Sequence, residues 1–384
     1  MNVCCYFQVH QPFRINKNYT VFDVGKHDKY FDDKLNKEVM DKVAKKCYLP
    51  TNKLLLKLIK QHGIRFAYSI TGTALEQFPK EVLQSFQKLA DTGNVEFLSE
   101  TYHHSLAFLY DRQEFDHQVG LHAKAIKKHF KQQPTILRNT ELIYNNEVAA
   151  HAQRLGFKGV LAEGADHVLD WRSPNYVYQS PKGMPLLLKN YKLSDDIAFR
   201  FSNKSWKEHP LTVEKYGDWM SQAQGDVVNL FMDYETFGEH QWEDTGIFAF
   251  LEQLPKALQD KGMSFISPTE ALKQKPKATV DMPKFVSWAD VERDLSAWTG
   301  NKLQDSALKQ LYALKDNLSG KALEDWRKLT TSDHFYYMCT KWFNDGDVHK
   351  YFNPYDSPYE GYIAFMNVLQ DLSQKQKKEE WITV

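Results

Sequence analysis

The residues able to do chemistry gather where apolar runs stop. The clearest case is Asp226-Val-Val-Asn-Leu-Phe-Met-Asp233-Tyr-Glu235-Thr-Phe-Gly-Glu239-His240, in which four ionisable side chains follow an apolar run within eight positions. Val227, Val228, Leu230, Phe231 and Met232 suit a strand covered on both faces, and Asp233 falls at its end. Ligands gather at strand C-termini in α/β folds. If the backbone stays extended past Met232, Asp233 and Glu235 face one side, and Gly238 lets the chain turn away before His240. Two carboxyl groups in one cleft can divide proton transfer and nucleophilic attack between them. An isolated Asp-x-Glu is more often an acidic surface turn, so the neighbouring elements decide.

Other predicted strands carry similar cargo. A strand near residues 2–9 ends in His10-Gln11-Pro12, and Ile64 to Ile70 runs into Thr71-Gly72-Thr73-Ala74-Leu75-Glu76. Val95 to Leu98 leads to Ser99-Glu100-Thr101-Tyr102-His103-His104, and Thr135 to Arg138 leads to Asn139-Thr140-Glu141. A strand at 159–162 ends in Glu163 and Asp166. Helical patterns lie between them, at about 35–46, 52–61, 81–91, 114–130, 212–223 and 246–260. This alternation predicts parallel strands with right-handed crossovers. Residues 14–33 form a long polar and aromatic connection of the kind that is often functional. Residues 171–205 give only short extended pieces with no clear assignment. A Pro- and Lys-rich linker is expected at 276–283. The sequence beyond Trp288 reads as helical, with residues 374–380 as a solvated helix end. The expected division is residues 1–275 and residues 285–384.

A chain of 384 residues with 42% hydrophobic content can bury a large core and hold a second, smaller unit. Lys plus Arg and Asp plus Glu both number 49, so no net field attracts nucleic acid or an anionic membrane. A neutral ligand fits that balance, and 20 Tyr and 9 Trp offer rings to stack against it. The first ten residues lack the pattern of a signal peptide, and no apolar run reaches membrane-spanning length, which predicts a cytoplasmic protein. The four cysteines have neither metal-knuckle nor disulfide-framework spacing. If extended, His103 and His104 point to opposite sides, which argues against a chelating pair. No metal or other cofactor is expected.

Taken together, His10-Gln-Pro12, Gly72-Thr-Ala-Leu-Glu76-Gln, Arg138-Asn-Thr-Glu141-Leu-Ile-Tyr-Asn-Asn, Met232-Asp233-Tyr-Glu235-Thr-Phe-Gly-Glu-His and Leu295-Ser-Ala-Trp298-Thr-Gly-Asn301 resemble, in order, the five short regions of glycoside hydrolase family 57, in its α-amylase-like branch. Any one of these is weak, whereas five in order are specific. The resemblance implies an incomplete (β/α)7 barrel followed by a C-terminal helical bundle that completes the active-site cleft. It implies Glu141 as nucleophile and Asp233 as acid/base in retaining cleavage of α-1,4-glucosidic bonds of glycogen, starch or malto-oligosaccharides. It also implies sugar-binding or supporting positions for His10, Glu76, His103, Glu235 and Trp298. For such a pair, carboxyl groups about 5 to 5.5 Å apart suffice. Their repulsion and desolvation should raise the acid's pKa, while Arg138 or another donor keeps the nucleophile ionised. Trp298, Phe237 and Trp242 could present flat faces to sugar rings.

Three alternatives stay open. The glycosyl-enzyme intermediate can pass to sugar rather than water, which would make a 4-α-glucanotransferase or branching enzyme. Histidines and aspartates at strand ends could hold a metal, as in a polysaccharide deacetylase-like hydrolase. A glucan-binding homologue could keep the groove without turnover.

Overall fold

The computed structural model describes residues 1–343 and 353–382. Nine strands occur among them, β1 (Asn2–Val9), β2 (Phe66–Ile70), β3 (Val95–Phe97), β4 (Ile136–Arg138), β5 (Gly159–Glu163), β6 (Tyr178–Gln179), β7 (Pro185–Lys189), β8 (Val227–Asp233) and β9 (Ser264–Phe265). They form two sheets, ordered β3-β2-β1-β8, with β9 also on β1, and β4-β5-β7-β6. All pairings are parallel except β6 with β7.

The sheets meet at two seams. A parallel bridge joins Ser99, just past β3, to Leu137 of β4. Between β7 and β8, the Asn190 amide donates to the Asn229 carbonyl at 2.9 Å, and the Asn229 side chain donates to the Leu188 carbonyl at 2.9 Å. Because the first seam is parallel, the C-terminal ends of both sheets open on the same side, where the polar strand ends of the sequence lie.

The local causes are ordinary ones. Every residue of β8 from Val227 to Met232 is buried, which is why that strand reads as a nearly continuous apolar run. Helix Lys80–Ala90 buries Val82, Phe86 and Leu89 at helical spacing. Asp111 and Asn145 cap helices Arg112–Phe130 and Asn146–Arg154, each cap contributing about 1 kcal/mol.

Four readings of the sequence change. The unassigned 171–205 region supplies β6, β7 and helix Tyr191–Ala198, with Leu186, Leu187 and Leu188 fully buried. The expected linker is pinned to the sheet: Lys277 and Val280 amides donate to the Val177 and Gln179 carbonyls, and Val280 and Met282 are buried. The two helices expected at 35–46 and 52–61 form one continuous run, Asp33–Val43, a π-helical turn Ala44–Tyr48, and Leu49–His62. Finally, the chain does not stay extended past β8. It enters a 3-10 turn, Tyr234–Thr236, and Gly238 then adopts φ 106°, where a β-carbon would lie 2.0 Å from the Lys46 carbonyl oxygen.

Beyond residue 295 the described chain is helical, with Ser296–Thr299, Lys302–Leu314, Gly320–Leu329, Ser332–Tyr336 and Pro358–Ile382 as its α-helices. These helices bury Trp298, Trp326, Phe335 and Phe365 in a cluster shared with Ile15, Tyr19 and Tyr30 of the long 14–33 connection, and with Leu106 and Ile143 from strand-end loops. The connection is therefore an anchor for the helices. No described helix is long and apolar enough to cross a membrane.

Candidate active site

Glu141 follows β4 in a tight turn, with φ 57° and ψ 24°, and Leu142 also has positive φ, at 50°. Non-glycine residues hold that region only where their surroundings over-determine it. Here the Leu142 amide donates to the Asn139 carbonyl at 3.0 Å, the Asn139 side chain donates to the Ile143 carbonyl at 2.8 Å, and the Trp288 amide donates to the Glu141 carbonyl at 3.2 Å. The turn presents the carboxylate to a ring of donors. Trp288 Nε1 donates to Oε2 at 2.8 Å, Ser332 Oγ donates to Oε1 at 2.8 Å, and His104 Nε2 lies 3.4 Å from Oε1. Burial alone would raise the Glu141 pKa, but the hydrogen bond and charge of His104 outweigh it and hold the carboxyl below the ordinary glutamate value.

His104 is the centre of a relay. Its Nδ1 donates to Glu100 Oε2 at 2.8 Å, and the fully buried Glu100 also accepts from Gln8 at 3.0 Å and from Ser69. Burial favours the neutral ring, yet the two flanking carboxylates raise the His104 pKa to about 9, so the imidazolium persists at neutral pH. His10 stacks on His104 with centroids 4.2 Å apart. His10 Nε2 meets Asp333 Oδ2 at 2.8 Å and Nδ1 meets Thr71 Oγ1 at 3.1 Å. Burial opposes ionisation of Asp333, but the charge and hydrogen bond of His10 hold its carboxyl well below the usual range. Ser332 and Asp333 thus bring one helix of the C-terminal region onto the strand ends, where the Ser332 amide also donates to the His104 carbonyl at 2.9 Å.

Asp233 ends β8, in register with Gln8 of β1. Among the described residues no hydrogen-bond donor reaches its carboxyl. Burial, and then the Glu141 charge, push its pKa up to about 6. Glu235, in the 3-10 turn, is buried and accepts from the Tyr48 hydroxyl, which the π-helical turn directs inward. Burial first and the Asp233 charge second raise Glu235 to about 8, so it is neutral at pH 7. The pair therefore consists of a glutamate held ionised and an aspartic acid that keeps its proton up to about pH 6, with a neutral acid beside the latter.

The other expected residues are distributed differently. His103 turns away: it is buried near Arg327 and Lys328, and burial and those charges lower its pKa to about 3. His104 takes the central place, and the opposite facing of two adjacent histidines was the available signal. Glu76 is exposed and accepts from the Tyr102 hydroxyl at 2.9 Å. Trp298 is 1% exposed inside the helical cluster and offers no ring face to a ligand; Trp288, which received no role from sequence, is the tryptophan on Glu141. Phe237 is equally buried, whereas Trp242 is half exposed with Lys46 over its ring. Arg138 is not the donor to Glu141. All three of its guanidinium nitrogens are buried without a hydrogen-bond partner, and it acts on the carboxylates through charge at longer range. Ser332 and Asp333 had no signal in the sequence. Among the described residues, no group of three or more His, Cys, Asp or Glu side chains is arranged to hold a metal ion.

Two carboxyl groups, one just past β4 and one at the end of β8, whose pKa values are pushed apart by their surroundings, are the equipment of a carbohydrate-cleaving α/β enzyme. The chain belongs to glycosyl hydrolase family 57, whose profile it matches over residues 4–283. It is 44% identical to a Methanocaldococcus jannaschii protein named "Putative alpha-amylase", over 95% of this chain and 82% of that one. In fold it is similar to a branching enzyme of this family from Pyrococcus horikoshii, with TM-score 0.68 and 16% identity over 96% of this chain and 88% of the other. It is similar also to a 4-alpha-glucanotransferase from Thermococcus litoralis, with TM-score 0.67 and 14% identity over 97% of this chain and 59% of the other.

Proposed function

We propose that this glycoside hydrolase cleaves α-1,4-glucosidic bonds of glycogen, starch or malto-oligosaccharides with retention at the anomeric carbon. Glu141 attacks that carbon, and Asp233 protonates the glycosidic oxygen and then deprotonates the incoming water. The observation that carries this reading is the contrast in environment, since donors keep Glu141 ionised while burial and the Glu141 charge raise the Asp233 pKa to about 6. In the same reading, the two sheets and their seams make up an incomplete (β/α)7 barrel over residues 1–275. Residues 285–384 form the helical domain that completes the cleft, and Ser332 and Asp333 support that division. Four free, buried cysteines suit a reducing cytoplasm.

Transfer to a sugar acceptor is the second reading, favoured by the fold shared with a branching enzyme and a glucanotransferase. Incubation with maltoheptaose, followed by chromatography and proton NMR, tests both. Shorter products released as α-anomers are expected for hydrolysis, and a ladder that includes longer chains for transfer. Release of β-anomers would overturn retention, and unchanged substrate at high enzyme concentration would favour a glucan-binding protein without turnover.

A further inference from the structure

A second group of buried charges lies beside the catalytic pair. Glu163, at the end of β5, is fully buried, and Asp195 sits in helix Tyr191–Ala198. Lys189, at the end of β7, meets Asp195 at 3.0 Å and Glu163 at 4.0 Å. The second cation, Arg293, comes from residues 287–294, just before the C-terminal helices. Its Nη1 lies 3.1 Å from Glu163 Oε2, its Nη2 3.6 Å from Asp195 Oδ2, and its guanidinium packs 3.8 Å over the Tyr191 ring.

Residues 287–294 also carry Trp288. The segment is folded back on itself: the Ser287 amide donates to the Arg293 carbonyl at 3.1 Å, and Ser287 Oγ donates to the Asp294 carbonyl at 2.6 Å. Asp290 and Arg293 both have positive φ, 53° and 51°. Such conformations need an external tether in a segment with an exposed tip, where Val291 is 89% exposed. Trp288 itself has two cations over its ring, Arg138 at 4.6 Å and Lys189 at 5.3 Å from the centroid.

We propose that Arg293 is a positioning residue: by clamping residues 287–294 onto Glu163 and Asp195 it holds the Trp288 indole N–H against the Glu141 carboxylate. Charge compensation alone does not require it, because Lys189 already pairs with Asp195 and a buried Glu163 can accept a proton. What Arg293 adds is a two-pronged tether, which a guanidinium can form and an ammonium replaces poorly. The inference rests on Glu141 being the nucleophile, but its structural half can be tested without that assumption.

The test combines the indole N–H resonances of ¹⁵N-labelled protein with maltoheptaose kinetics. W288F assigns the Trp288 signal. In R293M that signal should move and exchange rapidly with water, kcat should fall roughly 10- to 100-fold with KM nearly unchanged, and R293K should recover only part of the loss. The double variant W288F/R293M should be no slower than W288F, as expected when both act through one contact. If R293M misfolds, E163Q breaks the same clamp in a neutral isostere and should produce the same signal change. An unmoved Trp288 resonance in R293M or E163Q, or losses that multiply in the double variant, would overturn the proposal. Full activity in E141Q would instead overturn the nucleophile assignment and leave the resonance test standing.

Discussion

Glu141 and Asp233 are both carboxyl groups at the ends of parallel strands, both desolvated, and their pKa values are shifted in opposite directions. The difference lies in what else arrives at each. Trp288, Ser332 and the His104 imidazolium converge on Glu141 from three separate parts of the chain. Among the described residues no donor reaches Asp233, which is buried and feels the Glu141 charge instead. Burial therefore does not assign the roles; the distribution of donors does.

The largest way to break this contrast is to remove either member. E141Q should lose at least about 10⁴-fold in kcat, the scale on which nucleophile deletions fall. D233N should lose roughly 10² to 10⁴-fold, least with substrates whose leaving group needs no proton. Thermal unfolding alongside the kinetics separates lost chemistry from lost fold, and near-normal turnover in either variant refutes its role.

Stripping the donors is a smaller intervention. W288F or S332A each removes one hydrogen bond to a charged acceptor, worth about 1.5 to 3 kcal/mol, so kcat/KM should drop about 10- to 100-fold. Unchanged rates in both would mean that the donors matter only for packing.

The pH profile sharpens the comparison further. Asp233 must carry a proton to act as acid, so kcat/KM should decline as pH rises through about 6, while the acidic limb, set by Glu141, lies below the ordinary glutamate value. Removing the His104 cation in H104Q makes Glu141 harder to ionise and should shift the acidic limb upward. Removing the Glu141 charge in E141Q should lower the Asp233 pKa, which carboxyl carbon NMR can follow. An acidic limb that stays in place in H104Q would show that the relay does not set the nucleophile's charge.

The smallest expected effect is none: exhaustive dialysis against EDTA should leave the rate unchanged, because a carboxyl pair needs no Lewis acid. Loss restored by one divalent ion would move the protein toward the deacetylase-like alternative.

Much of this was legible in the sequence. Apolar runs that stop at ionisable residues located β1, β2, β4, β5 and β8 and their polar ends, because a strand buried on both faces leaves a long apolar signature. Pro185–Lys189 reads from the sequence as a short extended piece without a place in the sheet, because the two-residue β6 and the irregular chain around it offer no repeating pattern to read. The turn after Asp233 was misjudged because 3-10 geometry leaves little trace in residue type, and so Glu235 was expected on the same side as Asp233. Choosing His104 over His103 depended on a backbone turn in which His104 has φ 52°.

By itself the sequence determined which carboxyl groups stand at strand ends and in what order the five regions occur, since both are properties of local pattern. Tertiary structure alone decided their charge states. His104, Trp288 and Ser332 lie far apart along the chain, and only folding brings them around the Glu141 carboxylate and brings Asp333 within hydrogen-bond range of His10. A pKa depends on that neighbourhood and on desolvation, neither of which is written in the spacing of residues.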